Sequence, residues 1–277
     1  MGVVSGIAAA VNGVSTARGW QITYKGDPKM YVASNTKAGA GRLPGNTDWS
    51  GSYTAYGHTP PVVPGESFTF LGSVDGATGA GGTALVDSIT LTVDIEGGSV
   101  IAYSVAFSAA DALTLGIAAV VTDAEDPDAY SAVGRTVTYV AAGSEAGAWT
   151  TLANVRTVTI TLTASNMAYV SSTTAGVTKR LAGNFDASIA ISIYEGDLSA
   201  VIEPHTVYAI RVYVTSALFW DIRWMIFSDA SGIDVNREQP NLVSYTANAQ
   251  FTGWEYISST WTEGEVLDPA TATVWPA

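Results

Sequence analysis

The chain has 277 residues, enough for one large domain or two ordinary ones with real cores. Its 25 Asp and Glu against 12 Lys and Arg leave a net charge of −13, which argues against phosphate binding through a basic patch. It has no cysteine, which excludes disulfides, thiolate metal sites and cysteine nucleophiles, and its richness in Gly, Ala, Val, Thr, Ser and Tyr favours short strands joined by turns.

Residues 1–13 carry no basic region ahead of their mildly apolar stretch, and Gly6 stands where a myristoylation signal needs Ser or Thr, so neither a signal peptide nor a lipid anchor is expected. Trp20, Ile22 and Tyr24 then alternate with polar residues, the period of a half-buried strand. A long loop follows, holding Lys25, Lys29, Lys37 and Arg42. After it, Trp49, Gly51, Tyr53 and Ala55 form a core face, and Ser50, Ser52 and Thr54 a small polar one.

Further on, Ile89, Leu91, Val93 and Ile95 alternate with Ser88, Thr90, Thr92, Asp94 and Glu96. Ile101, Tyr103, Val105 and Phe107 alternate with Ala102, Ser104, Ala106 and Ser108, and Glu96-Gly97-Gly98-Ser99 supplies a turn between the two. A β-hairpin over 86–108 follows from that pattern. The apolar stretch 113–121 is far shorter than the roughly 20 residues a membrane-spanning helix needs, so no membrane partner is expected. Asp123, Glu125, Asp126, Pro127 and Asp128 make an acidic break in the pattern.

The sequence then repeats itself. A shift that puts Tyr31 on Tyr169 also puts Arg42-Leu-Pro-Gly-Asn-Thr-Asp on Arg180-Leu-Ala-Gly-Asn-Phe-Asp, Arg18 on Arg156 and Ser50 on Ser188, without a gap. Val158, Ile160 and Leu162 take the places of Trp20, Ile22 and Tyr24; Ala187, Ile189, Ile191 and Ile193 take those of Trp49, Gly51, Tyr53 and Ala55. At a slightly larger shift, Val243, Tyr245, Ala247 and Ala249 alternate with Ser244, Thr246, Asn248 and Gln250. Trp220-Asp-Ile-Arg-Trp-Met-Ile-Phe departs from the first copy, standing where the Ser/Thr-rich strand is expected. The expected organisation is all-β: a first β domain over 1–118, an acidic linker over 119–135, a second β domain over 136–261 and a tail over 262–277, each domain a β-sandwich or barrel.

The first copy resembles the major tail tube protein family of long-tailed bacteriophages. The resemblance lies in the order and spacing of Gly19-Trp-Gln-Ile-Thr-Tyr, Arg42-Leu-Pro-Gly-Asn-Thr-Asp-Trp-Ser-Gly-Ser-Tyr, Pro64-Gly-Glu-Ser-Phe-Thr-Phe, Ala84-Leu-Val-Asp-Ser-Ile-Thr-Leu-Thr-Val and Val100-Ile-Ala-Tyr-Ser-Val-Ala-Phe-Ser-Ala. It implies two tandem tail-tube-type domains, each with a short flanking helix, in a structural virion protein assembled in the host cytoplasm. Six domains make a ring in that family, so a fused pair implies homotrimeric, pseudo-hexameric rings that stack into a conduit for DNA ejection. The implied partners are further copies of the chain, other tail proteins, and viral DNA that passes without sequence-specific binding.

A conduit wall of one negative sign keeps phosphates off within about one Debye length, roughly 8 to 10 Å. The residues expected to face the lumen are Ser88, Thr90, Thr92, Asp94, Glu96, Ser104, Ser244, Thr246, Asn248 and Gln250, against the plainer reading of a solvated sheet face. Those expected to dock on the next ring are Lys25, Lys29, Lys37, Arg42, Lys179 and Arg180, against a merely solvated loop. The competing reading is a tandem β-sandwich binding module for host glycans or a capsid surface, with Trp254 and Trp261 as contacts.

Enzymatic chemistry, a metal and a cofactor are not expected. His58 and His205 sit beside prolines outside any HExxH or GxSxG context, and Gly39-Ala-Gly41-Arg-Leu-Pro-Gly45 has a proline before its last glycine where the dinucleotide fingerprint does not. The acidic run 123–128 lacks the glycine and distal glutamate of an EF-hand loop. Asp48 and Glu66 could form a glycosidase pair only if their carboxylates converge, which spacing does not show.

Overall fold

The structure, a computed structural model, describes residues 11, 14, 17–33, 40–73, 78–118, 129–194, 206–216, 218–235 and 243–251. The chain is all-β. The first half supplies β1 (Ala17–Gly26), β2 (Lys29–Tyr31), β3 (Gly41–Leu43), β4 (Thr47–Tyr56), β5 (Ser67–Ser73), β6 (Thr78–Asp94), β7 (Ala102–Ala109) and β8 (Thr114–Ala118). The second supplies β9 (Val137–Ala141), β10 (Thr150–Leu152), β11 (Val155–Ala164), β12 (Met167–Tyr169), β13 (Lys179–Leu181), β14 (Phe185–Tyr194), β15 (Val207–Tyr213), β16 (Phe219–Val235) and β17 (Val243–Phe251). The flanking helix implied by the resemblance does not occur among the described residues, whose one helical turn is the short 3-10 segment Ser172–Thr174.

Thirteen strands form one antiparallel hydrogen-bonded network in the order β1-β4-β7-β6-β11-β14-β17-β16-β15-β9-β10, with β5 and β8 also on β6. The two long strands turn this network into layers. The first part of β6 pairs with β5 and β8, and its second part with β7 and β11. β16 likewise pairs with β15 early and with β17 late. The β5 layer lies over the β1-β4-β7 layer: Phe70 packs against Trp20, Trp49 and Phe107, with ring centroids 5.7, 6.4 and 4.8 Å away. This is the two-layer solution for sheets with one apolar face.

The halves share their pairing register. β1 meets β4 with Gly26 opposite Thr47, and β11 meets β14 with Ala164 opposite Phe185. The register shift falls between Ala17 and Gly19 in one and between Val155 and Thr157 in the other. The β6–β7 bulge between Val86 and Ser88 recurs in β16–β17 between Phe227 and Asp229. That bulge corrects the sequence reading of Trp220-Asp-Ile-Arg-Trp-Met-Ile-Phe, which matches the glycine-rich start of β6 and not its Ser/Thr-rich end. The misreading arose because apolar pattern alone does not locate a bulge.

The 86–108 hairpin forms as expected, with Val86 opposite Phe107 and Thr92 opposite Ala102. Of the expected linker, 119–128 lies outside the described residues, but the rest is packed: Ser131 bridges to Val100, Ile101 N–H donates to the Tyr130 carbonyl at 2.8 Å, and Ala132 is fully buried. Its backbone satisfies the turn after β6, a demand that polar composition does not reveal.

Gly51 and Ile189 show how one register holds two different cores. Gly51 lies opposite Phe107, and a Cβ on it would come within 2.7 Å of that ring and 2.6 Å of the Gln21 carbonyl oxygen. In the second half Ile189 lies opposite Ala249, so the large and small partners are exchanged. Gly51→Ile is therefore expected to cost about 1–3 kcal/mol by overpacking. Adding Phe107→Ala should recover part of the loss, as read by urea denaturation of the singles and the double; simple additivity would show that the two positions do not share space.

Candidate functional site

Eight strands, β1-β4-β7-β6-β11-β14-β17-β16, run side by side through both halves, and on the six from β4 to β17 the face turned away from the core is built largely of small polar residues. One row across it reads Thr54, Ser104, Thr90, Thr161, Ser188 and Gln250. The next reads Thr92, Thr159, Ala190 and Asn248, and neither row holds a Lys or Arg. Alternate residues of the same strands, among them Ile89, Leu91, Val93, Val158, Ile160 and Leu162, are at most 1% exposed. The period-two pattern thus produces one dry and one wet face, and the sheet carries the wet one unbroken from half to half.

Of the expected lumen residues, Ser88, Thr90, Thr92, Asp94, Ser104, Thr246, Asn248 and Gln250 stand on this face, and Ser244 is paired with Tyr194 in the β14–β17 ladder. The acidic pair has local work as well. The Asp94 carboxylate accepts the Gly97 N–H at 2.9 Å and holds the turn after β6. Glu96 lies beyond the strand and accepts from Arg156 Nε at 2.7 Å. The wall between is neutral Ser and Thr.

The halves meet at β6 and β11. Seven residue pairs span that junction, from Asp94 opposite Thr157 to Ser88 opposite Thr163. Three of them are apolar and dry: Val93 with Val158, Leu91 with Ile160 and Ile89 with Leu162. By the shared register, the counterpart of β11 is β1 and the counterpart of the second part of β6 is the second part of β16. Among the described residues β1 pairs with β4 alone, and 229–235 of β16 pairs with β17 alone. The loss of cover shows in the side chains: Leu162 is fully buried, whereas its counterpart Tyr24 is 54% exposed. Trp20 and Ile22 are only partly buried.

The basic residues divide into two groups. Lys25, Lys29 and Arg42 are exposed, Lys29 pairing with Asp27, and Lys37 lies outside the described residues. Lys179 and Arg180 are spent inside the chain, on the first half. Arg180 Nη1 and Nη2 donate to the two Asp48 carboxylate oxygens at 2.9 and 2.8 Å, and Nη1 also reaches the Ala109 carbonyl at 3.1 Å. Lys179 stands 3.6 Å from Asp111. The hydrogen bond to Asp48 raises the Arg180 pKa and fixes its charge. Beside this clasp, Asn166 Nδ2 donates to the Val86 carbonyl and to Asp87, at 2.9 and 2.8 Å.

The residues considered for chemistry have structural occupations. His58 packs edge-on against Tyr130, its carbonyl accepting from Trp220 Nε1 at 2.8 Å in the core. His205, Trp254, Trp261 and the 123–128 run lie outside the described residues. Asp48 is bound to Arg180, while Glu66 accepts the Val63 N–H at 3.0 Å. Among the described residues no three of His, Cys, Asp and Glu converge on a point.

Sequence reading missed the buried pair of β15 and β16. Arg211 donates to Asp221 at 3.0 Å and lies over the Trp149 ring, 3.9 Å from its centroid; Asp221 is fully buried. Alternation gave no signal for it, because Arg211 and Asp221 lie at the parity opposite to the core residues Ile210, Val212, Trp220 and Ile222. No protein-family model and no curated protein matches the chain.

Proposed function

We propose that this chain is a tail tube subunit, a structural virion protein whose sheet edges close three copies into a pseudo-hexameric ring around a DNA conduit. The observation that carries the reading is the β6–β11 junction. A contact joins the first half to the second inside one chain, and among the described residues its two counterparts, 229–235 of β16 and β1, each have a strand on one side only, which suits them to other chains. A head-to-tail contact repeated by one rotation closes into a ring, and closure removes the hazard of open strand edges. Three chains bring twenty-four strands of this kind into the wall. At ordinary strand spacing and a tilt of about 40°, such a barrel is roughly 50 Å across, and its short Ser and Thr side chains leave most of that open.

The polar face suits the inside of the wall. The two central rows of hydroxyls and amides hold no cation for phosphates to bind, and the chain's excess of acid repels them. Stacking of rings into a tube finds support in the two hairpins. Tyr31, Val32 and Leu43 of the first are exposed, and so are their counterparts Tyr169, Val170 and Leu181, although the second hairpin already has its clasp. Apolar groups left open at matching places fit a surface that is covered by a neighbour. Other tail proteins at the tube ends, and a location in the virion after assembly in the host cytoplasm, go with this reading.

Electron microscopy with mass measurement over a concentration series tests it. The expected result is hollow rings of three times the 28.7-kDa chain mass, stacking as concentration rises. Single chains at every concentration, or binding to a glycan array lost on changing Trp254 and Trp261, would instead favour the binding module.

A further inference from the structure

The second half's hairpin clasps the first half through Arg180 and Asp48, and both residues recur in the other half as Arg42 and Asp186. The hairpins have the same build. Arg42 lies opposite Met30 in β2–β3, as Arg180 lies opposite Ala168 in β12–β13. Asp27 N–H donates to the Asn46 carbonyl and Ser165 N–H to the Asn184 carbonyl, both at 2.9 Å. A Cβ on Gly45 or on Gly183 would fall 1.6 Å from the carbonyl oxygen of Asp27 or Ser165, so both stems need glycine for the same close approach. The acceptors match too: the carboxylates of Asp48 and Asp186 each take the N–H of the next residue, at 2.9 and 2.8 Å.

The pairing differs. Arg180 is joined to Asp48 across the half-to-half junction, whereas Arg42 and Asp186 are exposed and have no oppositely charged partner among the described residues. The shared register makes Arg42 the counterpart of Arg180 and Asp186 that of Asp48, so a rotation relating the halves would set Arg42 of one copy on Asp186 of another. The geometry points to a lateral clasp between chains, in which Arg42 of one copy takes Asp186 of the next in a two-pronged ion pair. The inference rests on the tube reading and assigns Arg42 to the contact within a ring, not to the contact between rings. The planar guanidinium is what makes the contact directional, since it meets both carboxylate oxygens at once.

Charge reversal tests it on the full chain, with ring formation followed by mass photometry and stacking by microscopy. Arg42→Asp and Asp186→Arg are each expected to raise the concentration needed for rings by about tenfold or more, a loss of about 1.4 kcal/mol. The double variant, which restores the pair with its signs exchanged, is expected to return most of the affinity. Circular dichroism checks that each variant keeps its strands. Arg42→Asp rings that form normally but no longer stack would overturn the lateral clasp and make Arg42 an axial contact. Two single losses that the double merely adds would overturn it as well. If wild-type chains form no ring at all, it is the tube reading that fails.

Discussion

If three copies close into a ring through β1, as proposed, Tyr24→Asp is expected to leave the subunit folded and abolish that ring. Tyr24 is 54% exposed in the single chain, so a carboxylate there meets water and costs the subunit little. Its counterpart Leu162 is fully buried opposite Ile89, and a chain-to-chain junction with the same register would bury residue 24 in the same way. An unpaired carboxylate at such a place costs on the order of 3 kcal/mol or more per contact, about a hundredfold in affinity. Leu162→Asp places the same charge at the internal junction and is expected to unfold the chain. Sedimentation velocity and thermal melting separate the two effects. Tyr24→Asp rings that form at the wild-type concentration would show that β1 is not the closing edge.

The second large effect is expected at Trp220. Its side chain is fully buried, and Nε1–H donates to the carbonyl of His58, just beyond the end of β4, at 2.8 Å. It therefore ties the second half to the first in the interior. Trp220→Ala should cost about 3–5 kcal/mol through the cavity it leaves, with about 1–3 kcal/mol more for the stranded carbonyl. Trp220→Phe keeps much of the volume and loses mainly the hydrogen bond, so its loss should be much smaller. The Tyr24→Asp background suits the measurement, because a chain that does not assemble has a denaturation midpoint independent of its concentration. A Trp220→Ala unfolding free energy within about 1 kcal/mol of its parent would show that this side chain carries little of the coupling between halves.

Much of the strand pattern was legible from side-chain alternation, because a half-buried strand must put every second residue in the core. Ile89, Leu91 and Val93, and again Val158, Ile160 and Leu162, are buried where their period says. Trp20 and Tyr24 have the same period and are not fully buried, because burial also needs a neighbouring strand and, among the described residues, β1 has one on a single side. The clasp was half legible. Arg42 and Arg180 stood out as a repeated basic residue, but nothing local says that Asp48, far away in sequence, is the group that Arg180 meets. Ion-pair partners come from loop docking, which leaves no period in the chain.

The sequence by itself determined that the chain is all-β and which face of each regularly alternating strand is the apolar one, since those follow from local alternation; how far that face is dried depends on the neighbours. Tertiary structure alone decided that β6 pairs with β11, so that two sets of four strands make one sheet, and that among the described residues β1 and the 229–235 part of β16 each have a strand on one side only. Strand neighbours are chosen by register and shape between segments distant in the chain, and the same alternating pattern is compatible with many partners.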